Sequence, residues 1–214
     1  MALVLAPSAR AQGYEEAVRI CVRVAAPDER LGAACTVVID SGRAGPIERA
    51  AALNNRAVGR EGGVAAAIRD LDAAIALAPT IAKLFHNRGA QRLDASDPAG
   101  ALADFDTAVR LDPRYAVAFA SRGEAYFALK RHREAIRDFS EAIRLAPDYV
   151  HPLYNPYESR ARAKEAVGDT RGAAADRALY MPLFNETKAG PGRDRNTTGP
   201  RAWEPFIAYP KDLR

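Results

Sequence analysis

The residues able to do chemistry are few and scattered over 214 positions. The three histidines, His86, His132 and His151, fall in no H-E-x-x-H pattern and no i, i+4 pair, the spacings that put two imidazoles on one helix face around a metal. Cys21 and Cys35 have no histidine nearby to make a nucleophile, and two thiols alone are too few for a structural zinc site. The carboxylate pairs Glu15-Glu16 and Asp104/Asp106 read as solvated helix surface. No P-loop, G-x-G-x-x-G or G-x-S-x-G stands anywhere in the chain. These residues predict no enzyme, no cofactor and no metal.

The one covalent chemistry open to the chain is between its two cysteines. Tyr14, Ala17, Val18, Cys21, Val22 and Val24 form one apolar stripe, and Leu31, Ala34, Cys35, Val38 and Ile39 form another. Each stripe carries one cysteine on its inward face, which suits either a Cys21–Cys35 disulfide or two buried free thiols. Upstream, a short apolar run leads to Ala9-Arg10-Ala11, an A-x-A pattern before Gln12, without a basic segment ahead of it. Residues 1–11 are therefore read as a signal-peptide remnant or a disordered leader. Taken together the two features favour a disulfide and an oxidising compartment, periplasmic or secreted; the alternative is a cytoplasmic protein with free thiols. Closing a loop of this size stabilises by ~3 kcal/mol in the chain-entropy model.

A second pattern joins opposite charges. Arg56 and Asp70, Arg88 and Asp104, Arg122 and Asp138, and Arg160 and Asp176 stand 14, 16, 16 and 16 residues apart. The short interval belongs to the segment with the shortest turn, as it must if each pair faces across a helical hairpin. An ion pair inside each hairpin is expected, with a structural role.

The elements that position these residues repeat. Pro79, Pro113 and Pro147 stand 34 apart, each closing a Leu-x-Pro. The triplets Asn55-Arg56-Ala57, Asn87-Arg88-Gly89 and Ser121-Arg122-Gly123 recur in step. So do the helical stripes Ala67/Leu71/Ala74, Ala101/Phe105/Ala108 and Ala135/Phe139/Ala142. Each unit reads as two helices and a turn, unable to bury both faces except by stacking on copies of itself. The order Phe119, Gly123, Tyr126, Ala135, Phe139, Pro147 resembles the tetratricopeptide pattern, and the chain is similar to exported bacterial members of that family.

The resemblance implies an all-α fold, a right-handed α-solenoid of helical hairpins. The expected organisation is an N-terminal helical hairpin over 12–43 and a repeat array over 46–182, divided as 46–79, 80–113, 114–147 and a degenerate 148–182. In the last unit His151-Pro152 and Asn155-Pro156 disturb the entry, Arg177 replaces an aromatic, and the final helix runs to about Met181. A mostly irregular tail, 183–214, ends in the aromatic stretch Trp203–Pro210, which either packs on the last repeat or docks on a partner.

Family members line a concave groove with their first helices and hold a peptide or partner segment there. By register, this groove shows Asn54, Asn55 and Val58, then Lys83, His86, Asn87 and Ala90, then Val117, Ala120, Ser121, Glu124 and Phe127. Lys83, Asn55 and Asn87 match a carboxylate clamp, whereas Val117 and Ser121 depart from it, so side-chain recognition is expected instead. The chain's net charge of +4 comes from interleaved basic and acidic residues, which gives no nucleic-acid patch. No apolar run approaches the ~20 residues of a membrane span. The expected function is a non-catalytic scaffold for a protein or peptide partner. The alternatives are self-association through array ends and aromatic tail, and an accessory subunit of an envelope enzyme complex.

Overall fold

The computed structural model describes residues 9–23, 30–59, 62–147 and 155–188, with side chains over 13–22, 30–59, 62–147 and 155–180. The described residues form helices joined by turns, with no strand among them. Helix α1 (Ala9–Val18) runs on into a π-helical turn (Arg19–Arg23) and is followed by α2 (Leu31–Asp40). Four hairpins come next: α3 (Pro46–Val58) with α4 (Gly63–Leu77), α5 (Ala82–Asp94) with α6 (Pro98–Leu111), α7 (Ala116–Ala128) with α8 (His132–Leu145), and α9 (Pro156–Ala166) with α10 (Thr170–Lys188). The chain divides within α5 into two compact units, the first running to Gln91 and the second starting at Arg92.

In unit one, Val18, Cys21 and Val22 from the first helix and its π turn pack with Cys35 and Val38 of α2, Ala50 and Ala51 of α3, Leu71 of α4 and Leu84 of α5. Alanine is common here because it lets helix axes approach, and each buried Leu or Val still contributes about 1.5–3 kcal/mol. In unit two, Phe105 of α6 and Phe139 of α8 are fully buried. Phe139 lies so close to α7 that a Cβ on Gly123 would stand 2.7 Å from its ring, so the position admits no side chain.

Three of the hairpin turns share one chemistry. After α5, Ser96 N–H bonds to Leu93 O and Asp97 N–H to Arg92 O; after α7, Lys130 bonds to Phe127 and Arg131 to Tyr126; after α9, Gly168 bonds to Glu165 and Asp169 to Lys164. This is the Schellman closure, and its left-handed residue is Ser96 (φ 61°), Lys130 (φ 59°) or Gly168 (φ 86°). Asp97 and Asp169 then accept from the N–H of Gly100 and Gly172 to start the next helix. The hairpin α3–α4 turns instead through Gly62, at φ 84°.

Two expectations change. Asn155-Pro156 does not disturb the last hairpin but opens it: Asn155 caps α9 by accepting from Tyr157 N–H, and Pro156 takes the first position, where its missing N–H costs nothing. The final helix does not stop at Met181 but reaches Lys188, so the first residues of the expected irregular tail are helical. Pro182 inside it removes one backbone bond without forcing an end. Ala9, Arg10 and Ala11 lie in α1. The rest of the expected leader, His151-Pro152 and the aromatic stretch Trp203–Pro210 fall outside the described residues.

Candidate functional site

The polar residues expected to line a groove are, in unit one, largely buried and bound to each other. Asn54, Asn55, Asn87 and His86 are buried, and Lys83 is half-buried. α3 presents Asn54 and Asn55 side by side, and α5 brings Asn87 against them. His86 Nδ1 meets Asn87 Oδ1 at 3.2 Å; an amide oxygen only accepts, so the ring proton is on Nδ1. Asn87 Nδ2 donates to Asn54 Oδ1 at 2.7 Å, Asn54 Nδ2 to Asn55 Oδ1 at 2.9 Å, and Asn55 Nδ2 to the Cys21 carbonyl at 2.7 Å. The four bonds point one way, and each amide polarises the next. Burial, with Lys83 adding to it, pushes the His86 imidazole down to about 4 against the Asn87 bond, so it is neutral at pH 7. Sequence reasoning put these residues in register but missed that they bond laterally.

The spine ends at the cysteines. Cys21 and Cys35 are 0% exposed, their sulfurs 2.17 Å and their Cα atoms 4.9 Å apart, in bonding geometry.

In unit two the first-helix face is different. Ser121 is buried along with Val117 and Ala120. Glu124 accepts a short hydrogen bond from Ser159 of α9. Phe127 is half-buried, with the Arg162 guanidinium 4.8 Å above its ring and the His132 ring edge-on at 5.1 Å. This face is apolar, topped by a cation.

The arginines do more than the sequence indicated. Arg56 clasps Asp70 through Nε and Nη2 at 2.8 and 2.7 Å, Arg122 clasps Asp138 at 2.6 and 2.8 Å, and Arg160 clasps Asp176 at 2.9 and 2.6 Å. The remaining nitrogen reaches back to the preceding hairpin: Arg88 to Asp72, Arg122 to Asp106, Arg160 to Ser140 and Arg56 to Thr36. Arg88 and Asp104, expected to pair, belong to different units; within its own unit Asp104 accepts from Arg92 at 2.8 Å. Lys164 likewise joins Arg160 on Asp176 at 2.9 Å. Burial would raise the Asp176 carboxyl, but the Arg160 and Lys164 hydrogen bonds hold it below its ordinary value. Arg177, in place of an aromatic, grips Glu158 and Glu165 of α9. Asp70, Asp138 and Asp176 are thus each held by the arginine of their own hairpin. The backward half of the ladder was readable: Asp72, Asp106 and Ser140 themselves stand 34 apart.

Among the described residues no group of three His, Cys, Asp or Glu could hold a metal, and no helix is long and apolar enough to cross a membrane.

Against known proteins, a family model described as the tetratricopeptide repeat matches residues 116–149, which span α7 and α8. No curated protein matches the chain. Among solved structures, a MamA fragment from Desulfovibrio magneticus RS-1 matches with a TM-score of 0.69 at 19% identity, covering 86% of this chain and 100% of that one. A second MamA structure matches at 0.65 and 16% identity, covering 87% and 100%. At these identities the likeness concerns the fold.

Proposed function

For a chain built of tetratricopeptide repeats, we propose a non-catalytic scaffold that binds a protein or peptide partner through its first-helix faces. The observation that carries this reading is the spine on α3 and α5. Four polar side chains are committed there to hydrogen bonds with one another, on helices whose neighbours pack through alanine and leucine. Apolar residues would fill such a site about as stably, and this supports a role in recognition where the row borders solvent at half-buried Lys83. In unit one half-buried Lys83 borders the spine; in unit two half-buried Phe127 offers an apolar contact, with Glu124 of the same helix face bonded to Ser159. The bonding geometry of Cys21 and Cys35, with the A-x-A pattern at Ala9–Ala11, supports an exported, periplasmic or secreted protein with that pair oxidised.

The test is capture from the native host. The tagged chain, mildly crosslinked, is expected to retain a partner that Lys83→Glu and Phe127→Ala variants lose while keeping their helical circular dichroism. Undiminished capture by both variants would remove the first-helix faces from the reading. The second reading, self-assembly, is favoured by Val167 and Leu179, large apolar side chains exposed at 43% and 58% on the last hairpin. Light scattering of the pure chain decides it: oligomers that dissociate on Leu179→Lys support assembly, and a monomer rejects it. Service as an accessory subunit of an envelope enzyme complex is a special case of the first reading, in which the captured partner is the enzyme.

A further inference from the structure

The spine does not end at random. Its last amide, Asn55, donates to the backbone carbonyl of one of the two cysteines, and that cysteine sits in the π-helical turn Arg19–Arg23. Such turns are rare and frequent at functional sites, and here one places Cys21 against both Cys35 of α2 and Asn55 of α3. The Cys21–Cys35 disulfide and the buried polar row of α3 and α5 are thus joined by four consecutive hydrogen bonds.

We propose that the Cys21–Cys35 pair is a redox latch on the first-helix face of unit one: while the bond is closed it holds the Asn55–Asn54–Asn87–His86 row in order, and its reduction releases that row. The proposal rests on the reading that the pair is oxidised when the protein works. The reductant is a dithiol. Its thiolate attacks one cysteine sulfur, the S–S bond breaks to a mixed disulfide, and its second thiol displaces the other protein sulfur. Two electrons and two protons pass to Cys21 and Cys35, and the donor leaves as its own disulfide.

Both sulfurs are fully buried, so the attack requires a local opening; in the latch it is the π turn that opens, which takes the Cys21 carbonyl away from Asn55. The coupling is reciprocal. Reduction loosens α5 at Asn87 and His86, and whatever fixes Asn87 slows reduction. Asn87 lies on another helix and is joined to the Cys21 carbonyl through Asn54 and Asn55, so an effect of Asn87 on thiol chemistry is expected to travel along the row.

The experiment uses the full-length protein, its mass first checked to be two hydrogens below the reduced value. Dithiothreitol is added under native conditions, and freed thiols are trapped by alkylation over time in the unaltered chain, in Asn87→Ala and in Phe105→Leu. The last removes core volume in α6 without touching the row. The expected result is that Asn87→Ala, which loses its bonds to both His86 and Asn54, is reduced about tenfold faster than the unaltered chain, and Phe105→Leu is not. His86 provides a readout independent of any variant: its NMR titration midpoint, about 4 in the oxidised chain, should rise toward 6.5 on reduction. Equal reduction rates in all three proteins, or an unchanged His86 midpoint, would overturn the latch. A mass showing free thiols would count against the oxidised reading alone. The bond would then be formed with oxidised glutathione and the same two readouts taken; a chain unable to form it would refute the latch as well.

Discussion

At the residue scale, His86 gives the sharpest consequence. Buried beside Lys83, its imidazole takes up a proton only near pH 4 in the folded chain, whereas in the unfolded chain it does so near its ordinary value. Between the two the unfolded state binds the extra proton, so stability falls as pH drops through 6.5 and the loss is complete near 4. The full effect is about 3 kcal/mol. Urea denaturation at pH 7 and pH 4.5 should show most of it, and His86→Gln should flatten that slope. Asp176, held below its ordinary value by Arg160 and Lys164, acts in a lower window, with stability lost as pH falls through its depressed folded value. Gly123 is a matter of space: Gly123→Ala drives a methyl into Phe139 and should cost about 1–3 kcal/mol, read from the thermal midpoint. The sequence marked Gly123 through its repeated triplet and its place in the tetratricopeptide order; the ring it faces became visible only with α8 in place. The burial of Asn54, Asn55, Asn87 and His86 was not, because a polar residue on a first helix reads as solvent-facing until the neighbouring helix is placed.

At the scale of elements, the arginine ladder sets the register between helices. Arg122 is held by Asp138 within its hairpin and Asp106 of the hairpin before. Asp138 is nearly buried and Asp106 about half exposed, so the two contacts are unequal. Arg122→Ala strands a buried carboxylate and should cost about 3 kcal/mol or more. Asp106→Ala should cost less than about 1 kcal/mol, as exposed pairs do. Equal losses in chemical denaturation would mean that the ladder does not act through burial. The turns offer a gain instead. Lys130 occupies the left-handed position that Gly168 takes in the last hairpin, so Lys130→Gly should stabilise by about 0.5–1 kcal/mol. The sequence showed the hairpins and their within-hairpin Arg and Asp positions through constant spacing. The backward contacts were missed because Asp72, Asp106 and Ser140 differ in type, and the pattern was read for identity rather than for hydrogen-bonding capacity.

At the scale of the whole molecule, the repeat spacing carried the fold: leucine-x-proline closures and alanine stripes 34 residues apart dictate helical hairpins before any coordinate is seen. The ends of the chain had no such period to constrain them, so the last helix was placed too short. In the function proposed above, the first-helix faces meet the partner. Unit one has half-buried Lys83 beside the buried amide row, and unit two has the Phe127 ring under Arg162. A photo-crosslinking residue placed in the native host at Lys83 or at Phe127, and at Arg110 on a second helix as comparison, tests this most directly. The account predicts a discrete crosslinked protein, different from the chain itself, from positions 83 and 127 and none from 110. Crosslinks of equal yield from all three positions, or only to further copies of the chain, would contradict it.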